Sequence, residues 1–338
     1  MRRIVLLCAI ALATAACASD TPGSSPAPEA GGTLTLYSGR GEELVGPLVE
    51  AFESETGIDV EVRYGDTAEL AAAIAEEGDR SPADVFWAQD GGALGAVAGE
   101  GGLTELPDDV LDAVDPGFRA ADGVWVGTSG RARVLVYNTD LVDDPPASVF
   151  DLTGERWKGK IGWAPTNGSF QAFVTAMRVV EGEDTTTSWL GDMDANDTQV
   201  YASNTPIVHA VAAGEIEAGL VNHYYLFNLS KEDPSIAETA ANHFFDQGDI
   251  GNLVNVAGVG VLGSTDDTES ALRFVRFLLS PSSAQYFAEE TSEYPLAADA
   301  EPDERLPALD DIGAPEIDLS DLVDLRGTLE LLRSTGVL

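Results

Sequence analysis

Apolar and polar residues along the chain switch between two periods. Thr33 to Tyr37 alternates, and so do Ile58, Val60 and Val62, which is the period-two pattern of strands. Between them Leu44, Val45, Leu48, Val49 and Phe52 fall on one face of a helix, and Gly57 stands where a helix C-terminus favours a left-handed residue. Thr67 is placed to cap a second helix carrying Leu70 and Ile74. Ala83 to Trp87 then makes a short apolar strand after Pro82. Strand, helix, strand, helix, strand predicts an α/β unit with a parallel sheet and right-handed crossovers. Ligands of such sheets sit at the carboxyl ends of strands. That singles out the loops Tyr37-Ser38-Gly39-Arg40 and Ala88-Gln89-Asp90.

A second α/β pattern follows. Val134 to Tyr137 and Asn255 to Leu262 are apolar strands. They bracket Lys160 to Trp163, a helix from Ser169, a strand near Gln199 to Tyr201, a helix from Thr205, and a strand from Ala218 to Asn222. Glu269 to Leu279 returns to an amphipathic helix, Pro281-Ser282-Ser283 opens another, and Leu322 to Leu332 makes the last. This layout predicts two lobes joined by two strands that cross between them. We assign residues 33–130 with 256–306 to one lobe, and 131–255 with 307–338 to the other.

The N-terminus adds an address. Met1-Arg2-Arg3 is a short basic start, and the apolar run from Ile4 to Ala16 is too short for a membrane span and right for a signal peptide. It ends in Thr14-Ala15-Ala16-Cys17, similar to a bacterial lipobox, with Thr14 where Leu or Val is usual. The only other cysteine, Cys8, lies inside the segment to be removed, so Cys17 has no disulfide partner to explain it. Residues 17–32, rich in Pro, Gly, Ser and Ala, read as a lipid anchor and flexible tether. The expectation is an exported chain, lipidated at Cys17 and held on the outer face of the cytoplasmic membrane, or else periplasmic.

Charge then removes whole classes of partner. The chain carries 18 Lys and Arg against 58 Asp and Glu, a formal net charge of -40. Phosphate backbones and anionic lipid need clustered basic residues, so neither nucleic acid nor a basic membrane face is expected. Lysine is confined to Lys158, Lys160 and Lys231; such surfaces suit high salt and also arise by compositional drift.

Enzyme motifs give nothing. There is no G-x-S-x-G, P-loop, H-E-x-x-H or cysteine metal site, and His209 and His243 sit in apolar contexts. The informative segment is Leu220-Val221-Asn222-His223-Tyr224-Tyr225. Two adjacent tyrosines at a strand end fit an aromatic pair in a core or lobe interface. They also fit a hard-metal site, because a trivalent cation drives deprotonation of phenols whose free pKa is about 10. Both can ligate where the chain bends. His223 would face away from them in an extended chain, as a supporting or structural residue.

Six segments occur in one order: Leu-Tyr-Ser-Gly-Arg (36–40), Pro-Ala-Asp-Val-Phe-Trp (82–87), Ser-Gly-Arg-Ala-Arg-Val-Leu-Val-Tyr-Asn (129–138), Ala-Pro-Thr-Asn-Gly-Ser-Phe (164–170), Ser-Asn-Thr-Pro (203–206) and Asn-His-Tyr-Tyr (222–225). Together they resemble the bacterial ferric-ion-binding protein family, the substrate-binding components of iron(III) ABC importers. The resemblance covers about 33–338. It implies a two-lobed, type II-like periplasmic-binding-protein fold, not an enzyme, closing on its ligand by a hinge. It implies that Tyr224 and Tyr225 bind Fe3+ together with a synergistic anion such as carbonate or phosphate. Matching positions make Asn167, Gly168, Ser169, Asn204 and Asn222 contacts of the anion or supports of the ligands, and Arg131 and Arg133 a basic pair for the anion. The His and Glu ligands of some members are absent, Gly41 and Gln89 standing in those places. Other members carry a Tyr-Ser-Gly-Arg loop, which makes Tyr37 a candidate third phenolate, with Ser38 beside it and Arg40 as an anion partner. The implied partners are ferric iron or a ferric chelate and a membrane permease, with the protein a monomer. The alternative is the same fold binding another small anion or organic solute.

Overall fold

The computed structural model describes residues 32–297 and 301–338; the signal, Cys17 and nearly all of the tether lie outside the described residues. Among the described residues ten strands form one curled sheet: β1 (Thr33–Ser38), β2 (Asp59–Tyr64), β3 (Val85–Ala88), β4 (Val126–Asn138), β5 (Ile161–Trp163), β6 (Gln199–Val200), β7 (Ala218–Asn222), β8 (Ala240–His243), β9 (Val254–Val261) and β10 (Tyr294–Pro295). The order is β2-β1-β3-β9-β4-β7-β5-β6, with β8 and β10 also on β4. β1 pairs in parallel with β2 and β3, and β5 with β6 and β7, so each half has its own parallel α/β unit.

β4 and β9 join the halves. β4 pairs with β9 over residues 126–132 and with β7 over 133–137, so one unbroken strand serves both. β9 in turn pairs with β3. Covered on both faces, β4 is buried throughout except at half-buried Tyr137. The strand is longer than its apolar run Val134 to Tyr137, because Gly127 to Arg133 is polar in sequence but enclosed between the lobes.

The local predictions hold with specific adjustments. The helix Glu42–Thr56 buries Val45, Leu48, Val49 and Phe52 and stops at Gly57 (φ 72°), whose N–H bonds the Glu53 carbonyl. The helix Thr67–Glu77 is capped by Asp66 and not by Thr67; Asp66 Oδ1 accepts from the Ala68 and Glu69 amides. Thr67 is its first residue and accepts at Oγ1 from the Gln89 amide at 3.2 Å. Phe52 packs edge-on against Phe274 and Phe277 at 5.0 and 5.5 Å in one core. The same contiguous core carries a second aromatic group, in which Trp163 packs edge-on against Phe170 at 5.6 Å and Phe173 against Trp189 at 5.8 Å. Each such burial contributes roughly 1.5–3 kcal/mol.

The C-terminus spans both halves. Leu319–Val323 lies against the helix Gly91–Gly99, where a Cβ on Gly92 would meet the Leu322 carbonyl oxygen at 2.3 Å. Only glycine permits that approach. The last helix, Leu325–Ser334, packs on the helix Gly168–Glu181 through a Thr175–Thr328 hydroxyl contact at 2.7 Å and an Arg178–Asp324 ion pair. No helix among the described residues is long and apolar enough to cross a membrane.

Candidate functional site

The tyrosine pair does not end a strand; it begins a helix. β7 stops at Asn222, His223 takes helical angles (φ -56°, ψ -39°), and Tyr224–Glu232 follows as the helix. The bend turns both phenols to one side: their rings stack at 4.5 Å and 26°. Both line a cavity of about 720 Å3 between the halves, together with Gln89, Asp90, Arg131, Asn167 and Ser169. Burial pushes the Tyr224 phenol well above its ordinary pKa, and the adjacent Tyr225 adds to the shift. Without a cation that phenol is neutral.

His223 turns away from the cavity and fixes this bend. Its ring is fully buried; Nδ1 accepts from the Ala132 amide at 3.1 Å, so Nε2 carries the proton donated to the Ser292 carbonyl at 2.8 Å. Ser292 stands in left-handed backbone (φ 55°) after a turn of π-helix, and its hydroxyl bonds Asn228 of the tyrosine-bearing helix. Burial lowers the His223 pKa to about 4.

Arg131 and Arg133 lie two apart on β4, on the same face, and both are buried. Arg131 lines the cavity, and its guanidinium donates to the Gln89 carbonyl. Arg133 lies deeper, over the faces of Phe170 and Phe173 at 5.5 and 5.3 Å. It donates to the Leu220 carbonyl at 3.1 Å and to Ser169 Oγ at 3.4 Å. Burial lowers its pKa to about 9, and the nearby tyrosines oppose that shift, so the side chain stays charged at neutral pH.

Asn167 caps the helix Gly168–Glu181: its Oδ1 accepts from the Ser169 amide at 3.0 Å and from Ser169 Oγ at 2.5 Å. The N-terminus of that helix, with Gly168, faces the cavity and presents positive dipole charge. Fully buried Asn204 braces this cap from behind, its Nδ2 at 3.4 Å from Ser169 Oγ. Asn222 Oδ1 accepts from Arg133 at 3.5 Å.

Three expected residues are placed differently. Tyr37 is not brought to the cavity: its hydroxyl donates to Glu77 at 3.2 Å and accepts from Arg63 at 3.0 Å, so the phenol is engaged in a separate ion-pair cluster. Ser38 turns inward as well, its Oγ donating to the Arg40 carbonyl at 3.0 Å. Arg40 is not a free anion partner. Its Nη2 donates to both oxygens of buried Glu293, at 3.0 and 2.8 Å, and its Nη1 donates to Gln89 Oε1 at 3.0 Å.

Glu293 is the important residue that the sequence did not single out. Its carboxylate also accepts from Ser129 Oγ at 2.5 Å. Burial alone would raise its pKa, but Arg40, Arg131 and Ser129 more than reverse this and hold it below the ordinary range. Glu293 is separated from Arg40 by most of the chain, and nothing in the local run Ser-Glu-Tyr-Pro marks it. Asp90 also lines the cavity, where burial raises its pKa while the Ala93 amide and Arg131 oppose the shift. Among the described residues no group of three or more His, Cys, Asp or Glu could hold a metal ion.

Two α/β halves, two crossing strands and a tyrosine-lined cavity between them define a two-lobed solute-binding protein. The chain belongs to the bacterial extracellular solute-binding protein family, whose sequence profile matches residues 47–312. It is 31% identical over 308 residues to the Fe(3+)-binding periplasmic protein of Serratia marcescens, covering 90% of each chain. It is 32% identical over 308 residues to the major ferric iron-binding protein of Neisseria meningitidis serogroup B, covering 90% of this chain and 93% of that one. The structure of iron-bound HitA from Pseudomonas aeruginosa superposes with a TM-score of 0.82 at 34% identity, covering 90% of this chain and 99% of that one. These relatives are binding proteins rather than enzymes.

Proposed function

We propose that this protein captures ferric iron between its lobes and delivers it to an ABC permease. The supporting observation is the pair of stacked phenols, Tyr224 and Tyr225, which line the cavity together with buried Arg131. Two phenolates against a trivalent ion leave one positive charge. A small anion such as carbonate or phosphate, held by Arg131 and the N-terminus of the helix Gly168–Glu181, completes the coordination and balances that charge. Because Tyr224 is neutral without a cation, binding iron releases protons, and affinity falls as pH falls. The relatives named as ferric-iron-binding proteins support the same cargo.

In this reading the signal is cleaved, Cys17 is lipidated, and the tether holds the lobes at the outer face of the membrane beside the permease. Equilibrium dialysis against ferric citrate tests the cargo. The wild-type protein takes up one iron, and Tyr224→Phe with Tyr225→Phe abolishes the uptake. Unchanged uptake by the double variant refutes the assignment. A second reading, an anionic organic solute without iron, draws on buried Arg133, which faces no carboxylate charge. Tight anion binding with no iron uptake would favour it.

A further inference from the structure

We propose that the cavity is built for a ferric chelate with an aromatic or apolar organic body, beyond a ferric ion with a small inorganic anion. This inference rests on the iron reading above and specifies the form in which iron arrives.

Size is the first reason. At about 30 Å3 for each water-sized donor, an iron with six oxygen ligands occupies roughly 200 Å3. The cavity is about 720 Å3, within the roughly 300–1,000 Å3 range of organic-ligand sites. The excess is not an open gap on the C-terminal side. There Leu319–Val323 is seated on the helix Gly91–Gly99 as closely as backbone allows, with a Cβ on Gly95 reaching the Ser320 carbonyl oxygen at 2.6 Å. The following helix is pinned to the other half by Thr328 and Asp324. The two halves already meet through this strap while the cavity stays large.

Chemistry is the second reason. One part of the cavity lining is phenolic and cationic, with Tyr224, Tyr225 and Arg131. The Arg131 Nε–H is buried and has no partner among the described residues. Much of the remaining lining is apolar. Ala68, Ala72 and Ala75 project at helical spacing from one helix, Ala93 and Ala96 from the next. The strap contributes Leu322 and Val323. The acids along this wall are already engaged: Asp66 caps Ala68 and Glu69, and Asp90 caps Ala93. Glu100, also in the lining, is exposed. An apolar lining in the same cavity as the phenols suits a chelator that fills some coordination positions with oxygen, leaves two for the tyrosines, and lays a ring against the alanines.

The test compares ferric ion supplied with 2,3-dihydroxybenzoate and ferric ion supplied with bicarbonate, using the full chain and two wall-filling variants, Ala72→Phe and Ala96→Leu. Both positions are exposed, so the fold tolerates them, and urea unfolding checks this. Wild type is expected to bind the aromatic chelate about tenfold or more tightly than the bicarbonate form. Either variant should erase that preference while leaving the bicarbonate form within about twofold. Equal affinities in wild type, or wall-filling that leaves the aromatic chelate untouched, overturns the inference alone. Absence of iron uptake in every form overturns the iron reading itself.

Discussion

Arg40 and Glu293 form an ion pair at 2.8 Å whose side chains are 0% and 2% exposed. The pair ties the loop after β1 to the segment before β10, and through Gln89 and Ser129 it reaches the loop after β3 and the crossing strand β4. Four segments are therefore linked through one buried ion pair. Removing one partner leaves the other charged and dry. Glu293→Ala should cost about 3–5 kcal/mol. The double variant Arg40→Met with Glu293→Leu should lose much less than the sum of the single changes. Urea unfolding of the two single variants and the double variant measures this; additive losses would contradict the pairing.

His223 sets a pH window. Its folded pKa is lowered to about 4 from an ordinary 6.5, by burial first. A lowered folded pKa means that the unfolded chain binds the proton more readily. The associated stability is complete above pH 6.5 and is lost as pH falls towards 4, by about 3 kcal/mol in all. The added proton would go on Nδ1, against the Ala132 N–H that it now accepts from. Stability measured from pH 7 to 4 should fall in wild type and fall less in His223→Asn. Parallel curves would show that His223 does not set the window.

Gly92 sits where the strap crosses. A methyl there would overlap the Leu322 carbonyl oxygen, so Gly92→Ala should cost about 1–3 kcal/mol and loosen residues 319–334. Limited proteolysis and amide exchange should show the strap released while β1–β3 stay protected. A strap as protected as in wild type would refute the contact.

Much of the fold was legible because its elements carry clean periods. β1, β2 and the helix ending at Gly57 fall where their alternation and capping residues placed them. The tyrosine pair stood out in the sequence but was misplaced in local structure. Its run is aromatic and apolar, and the helix it opens has no side-chain cap and no acid in its first turn to announce it. The bend is instead imposed from a distance, by Ala132 and Ser292 gripping His223. Tyr37 and Arg40 misled for the same reason in reverse. Their loop suits a site, but Glu77 and Glu293, distant in sequence, take up their polar atoms. The strap was legible as a helix but not as a bridge, since its fit depends on three glycines in another segment, Gly91, Gly92 and Gly95.

The central claim is that Tyr224 and Tyr225 hold ferric iron as phenolates. The most direct measurement is a visible absorption spectrum of the purified chain during titration with ferric citrate. Wild type should develop a tyrosinate-to-iron charge-transfer band that saturates at one iron per chain, with protons released. The band should be lost in Tyr224→Phe with Tyr225→Phe and kept in Tyr37→Phe. A colourless wild-type protein at saturation, or a band that survives the double substitution, would contradict the account.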